Sequence, residues 1–269
     1  MERLPRLLDE CVDHWQLTVG PAYRGGNASL ALPATQADGT AVALKIQFPH
    51  QESDHEAAAL AHWNGDGAVR LLDYDEERHA LLLERCTPGT HLSEIDPDAA
   101  LDVLIALLPR LLKPAGPPFR SLAQDAEQWI EELRARWEAA NRPFERSLVD
   151  TAVGLLRELV GTQGEQVLLH QDLHGDNVLR AEREPWLVID PKPLVGEREF
   201  AVAPIVRSSE LGHSPAAVRR RLARLTDELG LDRDRSRSWT IAQTLAWSFD
   251  GVSALPNHLD VARWLLADT

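Results

Sequence analysis

Lysine is the scarcest charged residue of this 269-residue chain: Lys45, Lys113 and Lys192 stand alone, and Arg supplies the other 25 of its 28 basic side chains. Cysteine is as rare. Cys11 and Cys86 are far apart and in no metal-ligand pattern. That excludes a disulfide framework and a Cys-based zinc site, and predicts a reduced, cytoplasmic setting. No apolar run approaches the ~20 residues that cross a bilayer. The stretch Met1–Glu10 lacks the apolar core of a signal peptide, so neither a membrane partner nor export is expected. Positive charge is in deficit too, with a net charge of −14. This argues against nucleic acid, whose phosphates want clustered Lys and Arg. An acidic surface steers cationic ligands, or serves solubility alone. No Walker A phosphate loop occurs anywhere in the chain.

What remains is ample for a core, with 44% apolar residues in a length that suits one large domain or two lobes. The first third reads as strands with one helix. Leu30–Ala34 and Ala41–Phe48 flank an Asp38-Gly39 hairpin signal. Tyr23–Ser29 is a small-residue turn, His50–Asn64 a helix, and Val69–Tyr74 with His79–Arg85 a second antiparallel pair. Cys86-Thr-Pro-Gly-Thr90 is a connector. Helical periodicity then dominates: Asp98–Leu112 with Pro109 as a kink, Ser121–Ala140 with Ser121 as N-cap, and Phe144–Val160. After a loop region come Pro215–Leu229, about Ser236–Phe249, and Asn257–Ala267. The expected fold is α+β: a strand-rich lobe over 1–86 and a helical lobe over 87–269.

The chemistry concentrates at Val167-Leu-Leu-His-Gln-Asp-Leu-His-Gly-Asp-Asn177 and at Leu187-Val-Ile-Asp190. Asp172, just past a short strand, is placed to accept a proton from a substrate hydroxyl. Asn177, five residues on, offers a neutral oxygen to a metal; Asp190 ends the next strand as a carboxylate for Mg²⁺, and His170 braces the loop. Phosphoryl transfer needs such a set, because its catalysis is positioning plus charge neutralisation. Two other readings compete. The alternation of His170, Asp172, His174 and Asp176 fits a zinc or iron strand, although Gly175 favours a loop; and the loop also makes sense as structure alone.

Lys45 lies in the middle of an apolar strand, where an ammonium needs a partner. Glu52 and Glu56 on the following helix supply one, with Glu56, deeper in that helix, preferred. A Lys held by a Glu and aimed at ATP phosphates fits; an edge-strand Lys facing solvent is the plain alternative. Gly25, Gly26, Asn27 and Ser29 form a turn able to point N–H groups at phosphates, or an ordinary hairpin turn. Glu84 and Cys86 lie on the extended exit from the first lobe, where backbone groups face an adenine edge or merely link two lobes.

With Lys45 and Glu56 upstream, His170-Gln-Asp-Leu-His-Gly-Asp-Asn-Val-Leu179 and Trp186-Leu-Val-Ile-Asp-Pro-Lys-Pro-Leu-Val-Gly-Glu197 resemble the aminoglycoside/hydroxyurea branch of the protein-kinase-like antibiotic phosphotransferases. The likeness spans nearly the whole chain. It implies a two-lobed fold, ATP and Mg²⁺ as cofactors, Asp172 as base, Lys45 on the α/β-phosphates, and Asn177 with Asp190 on the metal. The acceptor it implies is a small, cationic, hydroxyl-bearing molecule, an aminoglycoside such as streptomycin. The alternatives are a sugar, an amino alcohol, hydroxyurea, or a non-catalytic binding protein of the same fold. Gln171 replaces a more usual Gly, and the segment after Gly196 departs from the pattern. Glu197, Glu199, Glu210 and Asp250 are the carboxylates for a cationic acceptor, with Glu197 and Asp250 preferred. A monomer or weak dimer is expected.

Overall fold

A computed structural model describes residues 3–23, 29–48, 50, 54–251 and 253–267. The chain forms two compact units: Met1–Thr90 with Val178–Pro193, and His91–Asn177 with Leu194–Thr269. Up to Thr90 the order is α1 (Arg3–Trp15), β1 (Thr18–Val19), β2 (Ser29–Thr35), β3 (Ala41–Gln47), α2 (Glu56–Trp63), β4 (Leu71–Asp75) and β5 (Ala80–Glu84). Then come α3 (Pro97–Leu111), β6 (Arg120–Ser121), α4 (Leu122–Ala139), α5 (Arg146–Val160) and β7 (Gln166–Leu169). The hairpin β8 (Val178–Arg180) and β9 (Trp186–Val188) precedes β10 (Leu194–Glu197), α6 (Ala203–Arg207), α7 (Pro215–Leu229) and α8 (Arg233–Ala246). A short ribbon, β11 (Phe249–Asp250) with β12 (Ser253–Ala254), leads to α9 (Pro256–Leu266). Among the described residues no helix is long and apolar enough to cross a membrane.

The first unit is an antiparallel sheet in the order β1-β2-β3-β5-β4. Helix α1 is absent from the sequence reading. Its Leu4, Leu7, Leu8, Cys11, Val12 and Trp15 recur at three- and four-residue steps and pack on Leu32, Val42, Leu44, Ile46 and Leu82. Side chains alternate along a strand, so this packing sends Lys45 and Gln47 to the opposite face of β3. Helix α2 begins at Glu56, not His50, because His55 has φ +69°, a left-handed conformation no α-helix includes. Glu56 is therefore the first residue of its helix rather than deep within it.

The β8–β9 hairpin belongs to this unit, so a single cut after Cys86 does not describe the chain. Val69 N–H donates to Val188 O at 3.0 Å, and Val188 N–H to Gly67 O at 2.9 Å. Arg180 exchanges backbone bonds with Gly89 and Thr90, at 3.0 and 2.8 Å. Arg183 closes the junction: Nε and Nη2 grip Glu84 at 2.8 and 2.9 Å, and further N–H groups reach Gly65 O and Ala68 O.

In the second unit β10 is the middle strand, parallel to β6 and antiparallel to β7. Ser121 caps α4 as its sequence predicts: its Oγ accepts from Gln124 N at 3.2 Å, and the Gln124 side chain accepts from Ser121 N at 3.0 Å. Pro109 falls in the last turn of α3, which stops two residues later. Gly196 of β10 faces Leu122 and Leu169; a Cβ there would lie 2.5 Å from Leu122 Cβ. Gly196→Ala is expected to cost ~1–3 kcal/mol through overpacking, read as a lower urea midpoint at an unchanged slope. An unshifted midpoint contradicts that packing.

Candidate active site

In the first unit, β3 aims Lys45 at the first turn of α2. Its Nζ donates to Glu56 Oε1 and Oε2 at 2.8 and 2.7 Å, and to Asp190 Oδ1. Gln47, two residues along the same face, donates to Glu56 Oε2 at 2.6 Å. Burial by itself would lower the Lys45 pKa, but the two carboxylates outweigh it and raise it, so the ammonium stays charged. Glu56 is 2% exposed and Asp190 52%. One carboxylate is thus locked inside, and the other is open to a ligand. Asp190 has φ +59°, a left-handed turn that Asp tolerates, two residues after β9.

In the second unit, β7 ends in the loop 170–177. His170 Nδ1 accepts from Asp172 N–H at 3.3 Å, which gives His170 the bracing geometry its position suggests. Asn177 Nδ2 donates to Asp172 O at 2.8 Å, so its Oδ1 is the atom left for a ligand. Gln171 has φ +65°, which explains why a Gly suits this position. Its side chain reaches Asp125, itself ion-paired with Arg120. Gly175 is required by crowding: a Cβ would lie 2.9 Å from Ser93 N. The Asp172 carboxylate takes an N–H from Arg207 Nη2 at 3.3 Å.

A cleft of about 340 Å³ opens beside Asp172, bordered by His174, Arg207, Glu210, Asn257 and His258. Glu210 accepts from Gly175 N–H at 2.9 Å and lies 3.3 Å from His174 Nδ1. Burial would raise its pKa, but hydrogen bonds from His174 and Ser208 bring it down to about 2. Burial would lower the His174 pKa, and Glu210, Asp172 and Asp176 together raise it. His258 is pushed down to about 4, by burial first and by the Arg207 charge second.

Other predicted residues sit elsewhere. Glu197 is 1% exposed, and its carboxylate is held by Trp239 Nε1, Arg235 Nε at 2.6 Å and Gly164 N–H at 3.1 Å. It is an internal tie, so the acceptor expectation for it is corrected. Asp250 is exposed on β11 and does not border the cleft. The Glu84 side chain is consumed by Arg183. Cys86 is a neutral thiol, pushed up to about 12 by burial and then by Glu84. Ser29 opens β2 opposite Gln47. Gly25, Gly26 and Asn27, like Glu52, lie outside the described residues. Sequence reasoning missed Gln47, Arg207 and His258. The clue for Arg207 was a lone cation closing the apolar run Ala203-Pro-Ile-Val.

Among the described residues no three or more His, Cys, Asp or Glu are arranged to hold a metal ion, so the zinc-strand reading of 170–176 has no geometry behind it. Oxygen donors in ones and twos suit Mg²⁺, which keeps waters and shares phosphate oxygens. Asp190, with one oxygen on Lys45, and Asn177, held through Nδ2, each present oxygen of that kind in their own unit.

The fold matches known kinases. Choline kinase LicA from Streptococcus pneumoniae superposes with TM-score 0.70 at 13% identity, covering 98% of this chain and 99% of that one. The fold is that of the kinase-like class. More narrowly, residues 14–250 match the model for aminoglycoside/hydroxyurea antibiotic resistance kinases, and the chain belongs to that family. Streptomycin 6-kinase from Streptomyces griseus is 43% identical, over 97% of this chain and 89% of that protein. Hydroxyurea phosphotransferase from Kitasatospora aureofaciens is 42% identical, over 99% and 80%.

Glu210 has a pKa below its ordinary 4.5, so the stability it contributes is complete above that value and drains away as pH falls towards about 2. Glu210→Gln is expected to flatten this acid limb. Urea titrations at about pH 5 and about pH 3 would show the wild type losing more stability than the variant; equal losses would contradict the assignment.

Proposed function

We propose that the chain transfers the γ-phosphoryl group of ATP to a hydroxyl of a cationic aminoglycoside, with streptomycin as the acceptor. The observation that carries this reading is the Asp172 carboxylate facing a cleft, backed by Asn177 on its carbonyl and Arg207 on one oxygen. The acceptor hydroxyl oxygen attacks the γ-phosphorus as the bond to the ADP oxygen breaks. Asp172 takes the hydroxyl proton. Lys45, held by Glu56, neutralises the α/β-phosphates, and Gly25, Gly26, Asn27 and Ser29 are the candidates from sequence for further phosphate contacts. Asp190 and Asn177 would be the oxygen ligands of Mg²⁺, which when bound with ATP neutralises phosphate charge. The exit strand at Glu84 and Cys86 would meet the adenine through its backbone. The enzyme works in the cytoplasm as a monomer or weak dimer.

A cationic acceptor is favoured over hydroxyurea because the chain is strongly acidic and two carboxylates, Asp172 and Glu210, border the cleft. Hydroxyurea is neutral, yet its phosphotransferase is nearly as similar, so the two are tested side by side. With purified protein, ATP consumption is expected with streptomycin and not with hydroxyurea; the reverse result moves the acceptor. Asp172→Ala is expected to lower turnover by about 10²–10⁴-fold while ATP binding persists. Undiminished turnover would remove Asp172 from its role. Asp190→Ala is expected to abolish Mg²⁺-dependent nucleotide binding by calorimetry, and retained binding would release Asp190 from the metal.

A further inference from the structure

Among the described residues that border the cleft is a buried guanidinium to which the proposed reaction gives no chemical step. Arg207 ends α6 at 8% exposure. A guanidinium so deep needs a charge partner, and the partner is the catalytic carboxylate, with Nη2 3.3 Å from Asp172 Oδ1. Its flat face lies over the Trp247 ring, 4.6 Å from the centroid. Trp247, which from sequence suits a plain core position, is therefore a platform for an internal cation. The charge is felt nearby, since it helps hold His258 neutral.

These contacts hold one edge of the Asp172 carboxylate: Oδ1 is engaged by Arg207. Stacking on Trp247 fixes the plane of the guanidinium, and the guanidinium fixes the rotamer of Asp172. We infer that Arg207, clamped on Trp247, is the positioning residue for the base in this reaction. The inference rests on Asp172 being that base.

The test is steady-state kinetics of Arg207→Met, Arg207→Lys and Trp247→Leu, with thermal melting of each. Arg207→Met is expected to lower kcat about 100-fold, the loss typical of a misplaced catalytic group, with KM for ATP and for streptomycin little changed. Arg207→Lys restores charge without the planar fork and should fall between that variant and wild type. Trp247→Leu should lower kcat in the same way but less. Wild-type kcat in a folded Arg207→Met, or a loss confined to the acceptor KM, overturns the inference. Should Arg207→Met not fold, wild-type kcat in Trp247→Leu does the same. Asp172→Ala separates the two readings: if it loses turnover while the Arg207 and Trp247 variants keep theirs, only the positioning role fails.

Discussion

A single ammonium group withdrawn from water organises the sheet unit. Burying a charge costs several kcal/mol after relaxation, and only close, well-made partners offset it. Lys45 meets Glu56 and Asp190, and Glu56 takes a further hydrogen bond from Gln47. Three separate elements must be correctly placed for that to happen. Helix α1 has to cover the Val42, Leu44 and Ile46 face so that Lys45 turns the other way. Helix α2 has to start at Glu56, and the β8–β9 hairpin has to end where Asp190 can turn back. In a chain that otherwise uses Arg, this is a place for the compact, singly directed charge that Lys provides.

The second unit applies the same rule to carboxylates and sorts them. Glu197, surrounded by Arg235, Trp239 and a backbone N–H, ties β10 to α8. Asp125 is paired with Arg120 beneath the loop. Glu210 holds the loop itself through Gly175 and His174. Asp172 has one oxygen engaged by Arg207 and faces the cleft. What separates these carboxylates is not residue type or neighbouring sequence. It is how many donors reach the carboxylate and whether open space remains beside it.

That distinction explains what could be read in advance. The Asp38-Gly39 turn, the Ser121 cap and the helical periodicities of α4 and α5 are local signals, and they appear where expected. Lys45 and Glu56 were legible because an isolated charge in an apolar strand demands a partner within reach. Helix α1 carries its apolar stripe, Leu4, Leu7, Leu8, Cys11, Val12 and Trp15, as a local signal of the same kind. Glu197 was misassigned because its partners, Arg235 and Trp239, lie some forty residues away and no pattern links them. Arg207 and His258 were missed for the same reason: the cleft is assembled from residues near 172, 207 and 257, and only folding gathers them.

The hairpin that carries Asp190 interrupts the sequence of the helical unit while belonging to the sheet unit. The gene therefore spells the two units in interleaved order. A single recombination breakpoint after Thr90 would hand one descendant Lys45 without its second carboxylate, and the other a hairpin without the sheet it was built to join. The pair of units can be inherited intact or remodelled residue by residue, but it cannot be shuffled as two cassettes. Side chains around the cleft, such as those at 207–210 and 255–258, can by contrast change one at a time.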